Sequence, residues 1–105
     1  MPTYMQFRVH LTVSGEDGLV AADDWQALLE KLEWLEPNRN PQGRWKQGNT
    51  LRASYALDVR SQTIAGATKA AVDAVSRAID SIRDLNGMAF VERVRPVYVP
   101  RKDEL

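Results

Sequence analysis

The stretch YMQFRVHLTV, residues 4–13, alternates between apolar and polar side chains, and LRASYALDVR, residues 51–60, repeats this alternation. In the first stretch one parity is apolar throughout, and the other carries Arg8 and His10. Successive side chains of a β-strand point to opposite faces. Each stretch therefore predicts a strand with one face in a core and the other open to water or to a partner.

A helical pattern follows the first strand. Apolar residues recur three or four positions apart from Trp25 to Leu35, which predicts one buried stripe. Asp23 is expected to cap the start of this helix. Pro37 is expected to end it, because proline cannot continue a helix.

A second helical pattern follows the second strand. Ser61 or Thr63 is expected to cap this helix, and its apolar stripe begins at Ile64. Asn86-Gly87 is the expected stop, with Gly87 as the residue just past the helix end. The helix is rich in alanine, which predicts close packing against a sheet.

A weaker strand lies between the first helix and the second alternating stretch. The segment PNRNPQGRWKQGN, residues 37–49, is rich in turn-forming and amide residues and contributes little to a core. Residues 44–47 are long enough for a short strand. Gly48-Asn49 is the expected hairpin turn into the strong strand that follows.

The last strand is irregular. In MAFVERVRPVYVP, residues 88–100, the alternation breaks near Glu92 to Arg95, which predicts a bulge or a bend. Pro96 lacks a backbone N–H, and this indicates an edge position for the strand.

This order of elements predicts an α+β domain. Strand, helix, strand, strand, helix and strand give the ferredoxin-like βαββαβ sandwich, a four-stranded antiparallel sheet in the order 4-1-3-2 with both helices on one face. The two alternating stretches then become the central strands. Residues 1–100 are expected to form this single domain and residues 101–105 a short charged tail. The fold serves many unrelated functions and assigns none by itself.

The composition argues against several kinds of site. The chain has no cysteine and one histidine, His10, so it offers neither a cysteine-ligated nor a histidine-rich metal site. No glycine-rich phosphate-binding motif is present, and the acidic pairs lack the spacing of a calcium loop. We therefore expect no cofactor and no metal. His10 is the only obvious general base and has no identifiable catalytic partner, which favours a protein that is not an enzyme.

The sequence predicts neither export nor membrane insertion. The first apolar run alternates with polar residues, unlike a signal peptide, and no segment is long and apolar enough to span a bilayer. The last residues, Lys102 to Leu105, match a retrieval tag of the endoplasmic reticulum, which has meaning only for exported proteins. We interpret this match as a coincidence and expect a cytoplasmic protein without membrane contact.

Charge is distributed unevenly along the chain, although the net charge is zero. Residues 16–36 hold one lysine against seven acids, a charge of −6, whereas residues 37–60 carry +4. Such polarity suits head-to-tail self-association or a partner of either sign. The alternative is that the acids complement a helix dipole and solvate an outer face.

The candidate interaction surface combines the open sheet face with the basic segment around Trp45. Cationic side chains can neutralise anionic groups, and an exposed aromatic can stack on a base. Covering an edge of the core is the alternative role for Trp45. The open face itself is expected to be polar, mildly basic and without stacking aromatics. The candidate residues are Arg8, His10, Arg39, Arg44, Trp45, Lys46, Arg52, Asp58, Arg93 and Arg95.

These patterns favour a small interaction module that binds a protein partner or self-associates through its open sheet face or an edge strand. The alternative is binding of nucleic acid or another anionic ligand through the basic Trp45 segment and the hairpin. A net charge of zero argues against nucleic acid, because no overall field attracts it. A small dimeric α+β-barrel enzyme that uses His10 is the least favoured hypothesis.

Overall fold

Four strands and two helices form in the predicted order. In a computed structural model of the protein, residues 4–15, 22–46, 52–82 and 87–97 are described. The elements are β1 (Met5–Gly15), α1 (Ala22–Leu35), β2 (Gln42–Lys46), β3 (Arg52–Ser61), α2 (Ile64–Asp80) and β4 (Gly87–Val97), with a short 3-10 turn at Pro37–Arg39.

The four strands form one antiparallel sheet in the order β2-β3-β1-β4. This is the order 4-1-3-2 read from the other edge, so the predicted sheet order is confirmed. The two alternating stretches, β1 and β3, lie in the centre. The protein is therefore an α+β sandwich with an open four-stranded sheet. The two strands with the most regular alternation, β1 and β3, form the centre of this sheet.

The core lies between the sheet and the two helices. The apolar parity of β1 and β3 faces it, as the alternation predicts. The Tyr55 hydroxyl donates to the Trp25 backbone carbonyl oxygen at 2.8 Å, which satisfies a buried phenol and ties α1 to the sheet. Burial, with a smaller effect of Asp24, raises the pKa of Tyr55 far above its usual range. The core residues are Phe7, Val9, Leu11, Val13, Leu28, Leu32, Ala53, Tyr55, Leu57, Val59, Ala67, Ala71, Ala74, Val75, Ala78 and Ile79.

Glycine at position 43 lets α1 pack closely against the edge strand β2. A Cβ atom on Gly43 would lie 3.0 Å from Trp25 Cζ2 and 3.1 Å from Leu29 Cδ2. Trp25 and Leu29 are partly buried and pack against the core at this place. A larger residue would push the helix away from the strand and loosen that end of the core.

Two expectations for α1 are wrong. The helix begins at Ala22, so Asp23 lies inside its first turn and does not cap it. A negative charge there still complements the positive end of the helix dipole. Leu35 is 43% exposed and does not extend the buried stripe, because the helix ends at this residue. The end of the helix before Pro37 is confirmed.

The start of α2 is as predicted. Thr63 Oγ1 accepts a hydrogen bond from the Gly66 backbone N–H at 3.0 Å, so Thr63 is the cap. Ile64 is exposed, contrary to expectation, because the first turn of the helix projects beyond the core. The small side chains of the buried stripe bring the helix close to the sheet. The buried residues of α2 are Ala67, Ala71, Ala74, Val75, Ala78 and Ile79.

The expected end of α2 is wrong. The helix ends at Asp80, where the Ser81 hydroxyl donates to the Ala78 carbonyl oxygen at 2.7 Å. Gly87 instead begins β4. A Cβ atom there would lie 3.2 Å from Val13 Cγ1, so glycine at this position serves close packing of two strands.

The edge strand β4 contains the predicted irregularity. It pairs with β1 in one register up to Val91 and in another from Arg93 onwards, which leaves Glu92 as an extra residue. Val91 and Val94 both pack against the core although they are three positions apart. The bulge therefore exchanges the faces of odd-numbered and even-numbered residues along the strand.

Some expectations fall outside the described residues. These are the hairpin turn at Gly48-Asn49 and the tail of residues 101–105. Within the described ranges, no helix is both long enough and apolar enough to cross a membrane.

Candidate interaction face

The helices cover one side of the sheet, and we call the other side the open face. Residues directly opposite each other in an antiparallel pair share a face, so the strand register assigns its members. The open face comprises Gln6, Arg8, His10, Thr12 and Ser14 of β1, Gln42 and Arg44 of β2, Ser54, Ala56, Asp58 and Arg60 of β3, and Met88, Phe90, Arg93, Arg95 and Val97 of β4.

Arg8 and Asp58 stand opposite each other on the two central strands and form a two-pronged ion pair. Arg8 Nε lies 2.8 Å from Asp58 Oδ1, and Nη2 lies 3.3 Å from Oδ2. Burial opposes ionisation of Asp58, but hydrogen bonds from Arg8, Asn40 and Gln6 and the charge of Arg8 hold its pKa below its usual value. The same hydrogen bond and charge raise the pKa of Arg8. Both groups are therefore ionised at neutral pH and cancel each other's charge.

The loop after α1 is fastened at both of its ends. Asn40 Nδ2 donates to Asp58 Oδ2 at 3.4 Å, and Asn40 has a positive φ of 47°, which asparagine adopts more readily than most residues. At the other end, Glu36 accepts hydrogen bonds from Arg39 and from Arg77 of α2, each at 3.0 Å. The side chain of the candidate residue Arg39 is thus paired with Glu36.

His10 lies in the middle of the open face, opposite Arg93 of β4. Its Nε2 atom is buried and has no hydrogen-bond partner among the described residues. Burial lowers the pKa of His10, and the charges of Arg93, Arg95 and Arg8 lower it further, while Glu92 acts in the opposite direction. The imidazole is therefore neutral at neutral pH and lies among cations.

Arg93 and Arg95 give β4 a positive charge that is not neutralised. Both side chains are exposed, and within the described ranges neither forms an ion pair with an acid. They are two positions apart on one face of the strand, with Cα atoms about 7 Å apart. An anion relieves the repulsion between such groups, so the β4 side of the open face is suited to bind carboxylates or phosphates.

The expectation that the open face lacks stacking aromatics is wrong. Phe90 lies opposite Thr12 on this face and is 50% exposed, and Met88 is 66% exposed. The bulge at Glu92 is the cause, because it places Phe90 on the same face as Arg93, three positions further on. An exposed apolar patch therefore adjoins the arginine pair.

A second exposed aromatic residue lies near the start of β1. Tyr4 directly precedes β1 and is exposed, and the Arg60 guanidinium lies 5.9 Å from the centre of its ring. Arg60 is opposite Gln6. Arg60 was not among the candidate residues, although its parity in the second alternating stretch already placed it on this face.

The basic segment around Trp45 does not form one surface. Arg44 lies on the open face, whereas Trp45 is opposite the buried Ala53 and faces the helices, where it is half-buried. Adjacent residues of a strand point to opposite faces, so these two side chains separate. The side chains of Lys46 and Arg52 lie outside the described residues.

The open face offers donors and an apolar surface. Within the described ranges, no group of three or more histidine, cysteine, aspartate or glutamate side chains is placed to hold a metal ion. Arg93 and Arg95 present guanidinium donors, and Phe90 and Met88 present apolar area beside them. This combination is suited to a ligand that is both anionic and partly apolar.

Comparison of the chain with models of protein families, with curated proteins and with solved structures finds no match.

Proposed function

We propose that the protein is a non-enzymatic binding module that holds an acidic protein partner on the open face of a ferredoxin-like sandwich. The charge of the open face carries this proposal. Among the residues whose side chains are described, the face has five arginines, and only Arg8 of these forms an ion pair with an acid. The arginines are Arg8, Arg44, Arg60, Arg93 and Arg95.

The residue types on β4 support a protein as the partner. Arginine, methionine and aromatic residues are enriched at protein interfaces, and acids are depleted there. Arg93, Phe90 and Met88 bring these three types together on one strand. Arginine is also one of the residue types enriched among energetic hot spots.

The helix layer carries the opposite charge. The charged residues of α1 are Asp23, Asp24, Glu30, Lys31 and Glu33. An acidic partner is repelled from this side and attracted to the open face, so the charge distribution orients the encounter. A second copy of the chain can use the same polarity by placing its α1 on the open face. A symmetric pairing of two open faces is disfavoured, because it brings the arginines of both copies together.

Addition of a strand at the β4 edge is less well supported. The bulge at Glu92, the charged side chains beside it and Pro96 are features that protect an edge strand from pairing with another chain. The open face is therefore the preferred surface for the partner.

A second candidate function is binding of single-stranded nucleic acid. Phe90 and Tyr4 are exposed rings close to arginines, and sheet domains that bind RNA stack bases on such rings. A net charge of zero and the acidic α1 weaken the long-range attraction to phosphates. The protein partner is therefore the first candidate.

Binding of a fluorescein-labelled decaglutamate peptide, followed by fluorescence anisotropy at low salt, tests the proposal. We expect the peptide to bind, and we expect Arg93→Glu combined with Arg95→Glu to weaken binding about tenfold or more, because two attractive charges become repulsive. The matched control is Lys31→Glu combined with Lys69→Glu, which changes the net charge equally but on the helices. The control should bind nearly as well as the original protein.

The proposal fails if the peptide does not bind. It also fails if the helix control weakens binding as much as the open-face variant, because the effect then belongs to net charge alone. A decathymidine oligonucleotide is the second probe. Tighter binding of the oligonucleotide than of the peptide, with the same dependence on Arg93 and Arg95, would assign the second candidate.

A further inference from the structure

We propose that Arg93, Arg95 and His10 form a carboxylate site on the β4 side of the open face, and that filling this site is coupled to the uptake of a proton by His10. The inference rests on the proposed function. It specifies that the partner is bound through its carboxylates and that binding strengthens as the pH falls.

The two arginines of β4 are the groups that contact the carboxylate. Arg95 stands opposite Arg8, whose guanidinium is already occupied by Asp58. Arg93 stands opposite His10, and within the described ranges neither Arg93 nor Arg95 has an acidic partner. A guanidinium donates two parallel hydrogen bonds to a carboxylate, so the pair offers two such donors on one side of the strand.

His10 responds to the carboxylate through its charge. In the free protein, burial and the surrounding arginines disfavour the imidazolium form. A carboxylate held by Arg93 and Arg95 cancels part of this repulsion and adds a negative charge close to the ring. Protonation of His10 then becomes more favourable. The charged groups around the ring are Arg8 of β1, Asp58 of β3, and Glu92, Arg93 and Arg95 of β4.

Linkage sets a quantitative condition on this coupling. If the carboxylate raises the pKa of His10 by about half a unit, the protonated protein must bind it about three times more tightly than the neutral one. Affinity therefore rises as the pH falls through the titration of His10. Protonation of the ligand's own carboxylates has the opposite effect, because it removes the negative charge that the site binds.

The single histidine makes the coupling directly measurable. His10 is the only imidazole of the chain, so its ring protons give one set of NMR signals without assignment. The pKa of His10 is measured between about pH 5 and pH 8 with and without a saturating decaglutamate peptide. We expect the peptide to raise this pKa by about 0.5 to 1 unit. We also expect the anisotropy-derived affinity to rise by the corresponding factor over the same range.

Three variants separate the site from its surroundings. Arg93→Gln combined with Arg95→Gln should abolish the shift and should raise the pKa of His10 in the free protein, because two repelling charges are removed. His10→Gln should bind the peptide with an affinity that does not rise at low pH. Lys69→Gln removes one exposed positive charge of α2, on the other layer, and should keep both the binding and the shift.

The outcomes distinguish this inference from the proposed function. Peptide binding with an unchanged pKa of His10 overturns the proton-coupled site and leaves the binding module intact. An affinity of the His10→Gln variant that still rises at low pH places the proton elsewhere and also overturns it. Absence of peptide binding over the whole pH range contradicts the proposed function as well.

Discussion

At the scale of single residues, Asp58 joins several parts of the molecule. Its side chain is 10% exposed and accepts hydrogen bonds from Arg8 of the neighbouring strand and from Asn40 of the loop after α1. Gln6 also helps to lower the pKa of Asp58. Asp58 therefore holds Arg8 and the loop in place, and the positive charge available to a partner comes from the other arginines.

Replacement of Asp58 by asparagine should destabilise the protein by about 1 to 3 kcal/mol at neutral pH, because the charged hydrogen bonds are lost and Arg8 keeps an uncompensated charge. Urea unfolding measures this difference. The matched control is Asp73→Asn on the exposed surface of α2, which should change stability by less than about 0.5 kcal/mol. Equal stabilities of the Asp58→Asn variant and the original protein at neutral pH would contradict the assignment.

The effect of this substitution should depend on pH. Since folding lowers the pKa of Asp58, its stabilisation is complete above the ordinary carboxyl value of 3.8 and is lost as the pH falls through the folded-state pKa. The stabilities of the original protein and the Asp58→Asn variant should therefore converge in strongly acidic solution. A difference that persists there would show that the ion pair is not its source.

At the scale of elements, β4 determines what the open face presents. The bulge at Glu92 places Phe90 and Met88 beside Arg93 and Arg95, so aromatic, apolar and cationic groups share one strand. A strand of regular alternation would send one half of this set towards the helices. The set of residues that β4 contributes to the open face is therefore a consequence of one extra residue.

Deletion of Glu92 should test this dependence. Without the extra residue, the side chains in one half of β4 must exchange faces. Either Phe90 then leaves the open face, or Arg93 and Arg95 point into the core. We expect a loss of about 3 kcal/mol or more in urea unfolding, because charged groups or misplaced apolar groups disrupt the packing. Glu92→Ala keeps the length of the strand and should cost less than about 1 kcal/mol. A stable deletion variant with unchanged peptide binding would show that the bulge has no such role.

The sequence predicts the strands of this protein better than it predicts their irregular parts. Alternation identified both central strands because each one has a complete apolar face. The break near Glu92 predicted a bulge, but the face on which Phe90 emerges depends on pairing with β1, which is distant in the sequence. The ends of the helices were also missed at Leu35 and Ile64, since an apolar pattern continues past the point where the core ends.

The candidate surface was predicted in part for the same reason. Arg8, His10, Arg93 and Arg95 meet on the open face because they belong to two neighbouring strands. Trp45 and Arg44 are adjacent in the sequence, which predicts one shared surface. Strand alternation instead places their side chains on opposite faces of the sheet.

At the scale of the whole molecule, the layers differ in charge. The charged residues of the open face are mostly arginines, and the charged residues of α1, on the other layer, are mostly acids. Opposite charges on opposite sides favour contacts in which the front of one molecule meets the back of another. Head-to-tail contacts of this kind do not limit the number of molecules that associate. They weaken as salt screens the charges.

Light scattering of the purified protein should reveal this polarity. At about 0.01 M salt, where charges act over about 30 Å, we expect the average mass to rise with protein concentration, and at about 1 M salt we expect monomers. The variant with Arg93→Glu and Arg95→Glu should remain monomeric in both. A dimer of fixed size that survives high salt would contradict head-to-tail contact and indicate a symmetric interface.

The pairing of β1 with β3 has a consequence for the nascent chain. Arg8 and Asp58 are separated by 50 positions, so the centre of the sheet forms only after a long loop has closed. The arginine pair lies on β4, which follows the other three described strands in the sequence and pairs with β1. No contiguous fragment of the chain carries the complete open face. The open face is therefore complete only when β4 has paired with β1.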